Sequence, residues 1–167
     1  VALQFATTSP ERVAGLVLSD TSAAPDNPAY DEAYRTHEAQ CRAATALVAR
    51  FGTAELGKRA AAGVTDPFLA AGLRARYRHL NRDGFLGAAY ASQARPDLLA
   101  VLEQRLAMPV LICIGAEDPA RSASEVMASH LPQARVAMFN ETGHGVPGRR
   151  PEAVGKAVVA FLRERPV

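Results

Sequence analysis

Met-Pro-Val-Leu-Ile-Cys-Ile-Gly-Ala-Glu-Asp-Pro, residues 108–119, is the stretch that decides the fold. Val110 to Ile114 is unbroken apolar sequence, and Gly115 with Asp118-Pro119 closes it in a turn. A short apolar run bounded by turn residues reads as a strand covered on both faces. That is the pattern of a parallel sheet, not of a half-solvated antiparallel one. The next run repeats the design: Arg135 to Phe139 is strand-like and leads into Asn-Glu-Thr-Gly-His-Gly, residues 140–145. Upstream, Val13 to Ser19 is a third such run, ending at Asp20-Thr21-Ser22.

Helical patterns fill the gaps. Val1 to Thr8 reads as a helix stopped by Ser9-Pro10. Ser122-Ala-Ser-Glu125 has the spacing of a capping box, which predicts a helix from there to about Leu131. Pro151-Glu152 opens a last helix, in which Ala153, Val154, Ala157, Val158, Phe161 and Leu162 recur at helical spacing. Strand and helix in alternation imply right-handed crossovers and an α/β fold with a parallel sheet. Between Pro25 and Arg105 strand-like runs vanish, and Asp31 to Phe51 reads as the first of several helices. The expected organisation is a core formed by residues 1–24 and 106–167, with a helical insertion at 25–105.

Composition narrows the function. The chain has 167 residues, 19 Lys and Arg against 17 Asp and Glu, and a formal net charge of +2. So small a charge gives no footing for a nucleic-acid or membrane partner. No apolar run is long enough to cross a bilayer and none resembles a secretory leader, so the expectation is a cytoplasmic protein with a small-molecule substrate. Two cysteines, Cys41 and Cys113, make no disulfide framework, and Cys113 reads as a small buried hydrophobe. No Cys/His cluster has metal-ligand spacing, so no metal site is expected.

The chemistry sits past the strands. In an open parallel sheet, functional residues collect beyond the C-terminal ends of strands. Asp118 and His144 both fall there, and neighbouring strands are about 4.8 Å apart, close enough for their loops to touch. A carboxylate that orients an imidazole is the acid–base half of a nucleophile–His–acid triad. Gly143 and Gly145 would free the backbone around the imidazole. Asp20 also ends a parallel strand, but it reads as a turn cap. Arg149 and Arg150, after the histidine, read as solvated, with an anionic substrate as the alternative. The tyrosines Tyr30, Tyr34, Tyr77 and Tyr90 read as packing residues.

These motifs together resemble the α/β-hydrolase fold family. Ser9 to Leu18 resembles its segment between the nucleophile helix and the sixth strand. Met108 to Pro119 resembles its seventh strand and acid loop, and Gly143-His144 with the Pro-Glu-Ala helix resembles its histidine loop and last helix. Leu16 to Ala23 is similar to the corresponding segment of 3-oxoadipate enol-lactonases. After the histidine the family usually places a bulky apolar residue and an acidic one; Gly145-Val146-Pro147-Gly148 departs from this.

The resemblance implies a partial α/β-hydrolase fold: C-terminal parallel strands with flanking helices, and a helical cap at 25–105. It also implies His144 as general base and Asp118 as the acid, acting on a carboxylic ester or lactone without a cofactor. The family's nucleophile lies in a G-x-S-x-G elbow, and no such motif occurs in this sequence. Val1 to Thr8 resembles the helix just after that elbow. The expectation is therefore a chain continuing upstream of Val1, with the nucleophile there and the isolated 167 residues inactive. Family alternatives are an epoxide hydrolase or haloalkane dehalogenase with an Asp nucleophile, or a non-catalytic ligand-binding protein.

Overall fold

The computed structural model describes residues 1–164. Its three strands are β1 (Leu16–Ser19), β2 (Val110–Gly115) and β3 (Ala134–Phe139). They form one parallel sheet in the order β1-β2-β3. Leu16 pairs with Val110 and Ser19 with Cys113 on one side of β2, while Val110 pairs with Ala134 and Gly115 with Phe139 on the other. The strands thus end nearly level, and the three following loops leave from one rim. Val13 lies ahead of β1 because a 3₁₀ turn, Pro10–Arg12, takes its N–H. Every residue of β2 is buried, as its unbroken apolar sequence requires. The edge strands are less covered: Val17, Val136 and Met138 are exposed.

Helices α1 (Ala2–Thr8), α6 (Leu99–Arg105) and α7 (Arg121–Ser129) close one face of the sheet. Leu3, Leu102 and Met127 from these helices meet Leu18 and Ile112 in one apolar cluster. Helix α9 (Pro151–Arg163) closes the other face, where Phe161 packs with Leu111 and Cys113. Burying a Phe or Leu side chain contributes roughly 1.5–3 kcal/mol, so this second face depends heavily on Phe161. Cys113 is fully buried, and burial raises its thiol pKa.

The chain divides into two compact units, 1–35 with 96 onward, and 36–95. The second is narrower than the 25–105 read from the sequence. Tyr30, Tyr34, Leu99 and Leu102 are buried in the sheet unit's own core, so the segments carrying them belong there. Tyr30 and Tyr34 pack with ring centroids 4.5 Å apart and planes tilted by 57°, which is the packing role their sequence position suggests.

Most of α2 (Glu32–Phe51) and all of α3 (Thr53–Ala61), α4 (Pro67–Arg78) and α5 (Arg82–Gln93) make up the second unit. Asp66 and Asn81 cap α4 and α5 by accepting backbone N–H groups, which satisfies donors that a helix start leaves open. Gln93 donates to Thr45 at 2.9 Å and Arg95 pairs with Glu38 at 3.2 Å, tying the end of this unit to α2. Among the described residues, no helix is long and apolar enough to cross a membrane.

Candidate active site

The loop after β2 and the loop after β3 are clasped main chain to main chain. Ala116 N–H donates to the Phe139 carbonyl at 2.9 Å, and Glu117 N–H donates to that of Thr142 at 3.0 Å. Gly115 permits this approach: a Cβ there would stand 2.0 Å from the Thr142 carbonyl oxygen. Glycine is thus required for proximity, quite apart from backbone dihedrals.

Asp118 is set by the clasp. Its side chain is fully buried, and its Oδ1 lies 3.1 Å from Nδ1 of His144. The same oxygen accepts the Ala120 N–H at 2.7 Å. That second bond explains why the capping box fails as a helix start. The Asp118 carboxylate and carbonyl organise the turn, so α7 begins at Arg121 and Ser122 already lies inside it. Ser122 Oγ instead accepts the Asp31 N–H, and Glu125 pairs with Arg121 at 2.7 Å.

His144 has a half-exposed ring, at 48 %. Gly145 follows with φ of 89°, a left-handed conformation that favours glycine. Gly143 does not share that conformation. A short helix, α8 (Val146–Arg149), starts at once, with Val146 fully buried. Val146 supplies the apolar anchor that the departure from the family pattern left open. Arg149 and Arg150 are exposed, yet they are not merely solvated: Arg149 Nε donates to the His144 carbonyl at 2.9 Å and Arg150 Nε to Thr142 Oγ1 at 3.1 Å. Both brace the histidine loop.

The loop after β1 supplies a third member that sequence reasoning undervalued. Asp20 has φ of 49°, uncommon outside glycine though tolerated by Asp. Its Oδ2 accepts from Ser19 Oγ at 2.7 Å and from the Val146 N–H at 3.0 Å. It therefore holds the residue two places after the histidine, and is more than a local turn cap. Burial and the neighbouring Asp118 raise its carboxyl pKa above the ordinary value, against hydrogen bonds from Ser19 and Val146 that lower it. The available signal was its position at the end of a parallel strand, shared with Asp118.

One ligand atom each from Asp20, Asp118 and His144 lie within 4.8 Å of one another. An ion held by all three would compete with the Asp118–His144 contact, and the donors already on the carboxyls fit a hydrogen-bonded chain better than a metal centre.

No protein-family model matches the chain, and no curated protein matches it closely enough to count. Solved structures do. An esterase from Thermogutta terrifontis is 29% identical, with a TM-score of 0.73 over 98% of this chain and 61% of its own. A hydrolase from Pseudomonas aeruginosa is 26% identical, with a TM-score of 0.67 over 96% of this chain and 60% of its own. An enol-lactonase from Burkholderia xenovorans, 20% identical with a TM-score of 0.72, covers 97% of this chain and 61% of its own, a likeness of fold. The chain spans about three fifths of the length of these structures. Three parallel strands between flanking helices, superposing on such proteins, show that the chain has a partial α/β-hydrolase fold.

Proposed function

We propose that this chain carries the acid–base half of a hydrolase for carboxylic esters or lactones. The observation behind the reading is the 3.1 Å contact between Nδ1 of His144 and the fully buried Asp118. A buried carboxylate that accepts from Nδ1–H fixes the imidazole in one tautomer and one orientation. Nε2 is then the nitrogen that takes the proton from a nucleophilic hydroxyl as it attacks the ester carbonyl. The same nitrogen returns the proton to the leaving alkoxide. Water then attacks the acyl-enzyme with His144 as base again. Asp118 stays ionised and stabilises the imidazolium that forms.

The sequence has no G-x-S-x-G elbow, so the proposal places the nucleophile, and the oxyanion donor that follows it, outside these 167 residues. The helical residues 36–95 are assigned the part of the family's helical cap. Esters and lactones are preferred because the similar solved structures include an esterase and an enol-lactonase. Such acyl transfer needs no cofactor.

The test is hydrolysis of a chromogenic ester. Residues 1–167 alone are expected to give no turnover above background, and turnover by them would overturn the placement of the nucleophile. In a longer chain that carries an elbow ahead of Val1, His144→Ala is expected to lower kcat/KM by roughly 10⁴-fold or more. A loss under tenfold would remove His144 from the chemistry.

A further inference from the structure

Two oxygens in the site are shut off from solvent and have no hydrogen-bond partner: Oδ1 of Asp20 and Oδ2 of Asp118. They are the second oxygens of carboxyls whose first oxygens are each engaged twice. Asp118 Oδ1 has the Ala120 N–H and His144 Nδ1, and Asp20 Oδ2 has Ser19 Oγ and the Val146 N–H. One oxygen from each carboxyl lies in a cluster with His144 whose atoms are within 4.8 Å of one another. Two ionised carboxylates so placed would repel, and each would strand a desolvated oxygen without a donor. A single proton between them removes both problems, because a protonated carboxyl is a donor.

Asp20 is the better holder of that proton. Asp118 accepts from an imidazole that turns cationic whenever it takes a proton, whereas Asp20 accepts only from a neutral hydroxyl and one amide. The titratable groups around Asp20 are Asp118 on the β2–α7 loop, His144 on the β3–α8 loop and the Cys113 thiol on β2. The charged residues of α7 and α8 bond elsewhere: Arg121 to Glu125 and the Ala116 carbonyl, Arg149 to the His144 carbonyl.

We propose that Asp20 keeps a proton on Oδ1 and donates it to Oδ2 of Asp118, and so serves as a positioning residue for the acid. Its catalytic meaning rests on the His144–Asp118 assignment above; its geometry does not. Through one side chain, Asp20 then holds both ends of the acid–base pair. Oδ2 pins the backbone at Val146, just beyond the histidine, and Oδ1–H stops the Asp118 carboxylate from rotating away from Nδ1. The raised pKa of Asp20, caused first by burial and then by Asp118, agrees with this arrangement.

Carboxyl carbon NMR on the 167-residue chain tests the idea without any turnover. The Asp20 carboxyl is expected to titrate above the ordinary Asp range, near 3.9, in the direction that burial and Asp118 push it. Asp118→Asn is expected to lower its midpoint, because the neighbouring charge is gone. An Asp20 that titrates at or below the ordinary Asp value, or a midpoint unmoved by Asp118→Asn, would overturn the shared proton.

The positioning role is read from the Nδ1–H resonance of His144. It should survive in Asp20→Asn, whose amide can donate to Asp118 and whose carbonyl can accept from Val146. It should be lost or broadened in Asp20→Ala. An unchanged resonance in Asp20→Ala would overturn that role. If the shared proton is found and no ester is ever hydrolysed, the carboxyl pair stands and the hydrolase reading falls; the converse result separates them the other way.

Discussion

The loops that leave β1 and β2 each begin from a strand of the same sheet and each carry an aspartate, yet the two carboxyls serve different partners. Asp118 faces a side chain, the imidazole of His144. Asp20 faces the main chain behind that imidazole, at Val146. The loop geometry accounts for the difference. Gly115 lets the β2 loop press against the β3 loop until their backbones touch, which brings Asp118 level with the ring. Asp20 leaves β1 in a left-handed conformation that turns its carboxyl to the α8 start instead. Position at a strand end therefore nominates a residue for chemistry, and the neighbouring loop decides which chemistry.

In a chain with its nucleophile, Asp118→Asn should lower kcat by about 10⁴-fold, because an amide can hold the wrong imidazole tautomer. Asp20→Ala should cost about ten- to a hundredfold, the range typical of groups that orient a functional side chain. Equal losses in steady-state assays would erase the distinction between acid and positioning residue.

Gly115→Ala is expected to destabilise by about 1–3 kcal/mol or more, since its methyl meets backbone, which cannot swing aside. A urea midpoint equal to that of the parent would mean that the clasp is looser than the structure has it. Away from both loops, a methyl group added at Gly155 in α9 would meet nothing within 4 Å, and Gly155→Ala should stabilise by up to about 1 kcal/mol. A loss there would show that stability in this chain does not follow local geometry.

The smallest effect sharpens the picture of Asp20. A carboxyl whose pKa is raised by folding contributes stability that is complete below its unfolded value, near 3.9, and is lost as pH rises through its folded value. Asp20→Asn should flatten that part of the stability–pH curve. Parallel curves for the parent and the variant would place the pH dependence in another group.

The fold is legible where one physical cause dominates. Val110 to Ile114 is apolar throughout because β2 is covered on both sides, and no other element suits so short a run. The nearness of Asp118 and His144 follows from strand spacing and from the level ends of parallel strands. Features that depend on two loops meeting are not legible. Ser122 and Glu125 carry the spacing of a capping box, but Asp118 starts the turn first. Arg149 and Arg150 look like solvated charges until the carbonyls of their own loop are in place to receive them. The limits of the helical unit are equally hidden. An amphipathic stripe tells which face is covered and not by what, so Tyr30 and Leu99 can sit within a helical tract and still belong to the sheet unit.

The main-chain clasp between Ala116–Glu117 and Phe139–Thr142 also works as a length gauge. It sets how many residues separate the end of β3 from the imidazole. An insertion within Asn140–Glu141 can bulge outward while the hydrogen bonds on either side persist. One inserted after Thr142 would carry the ring along the rim and out of reach of its carboxylate. Natural variation in loop length should therefore be found ahead of Thr142 and be scarce behind it, which makes the segment from 142 to 146 the poorest place in the chain for a graft or a tag.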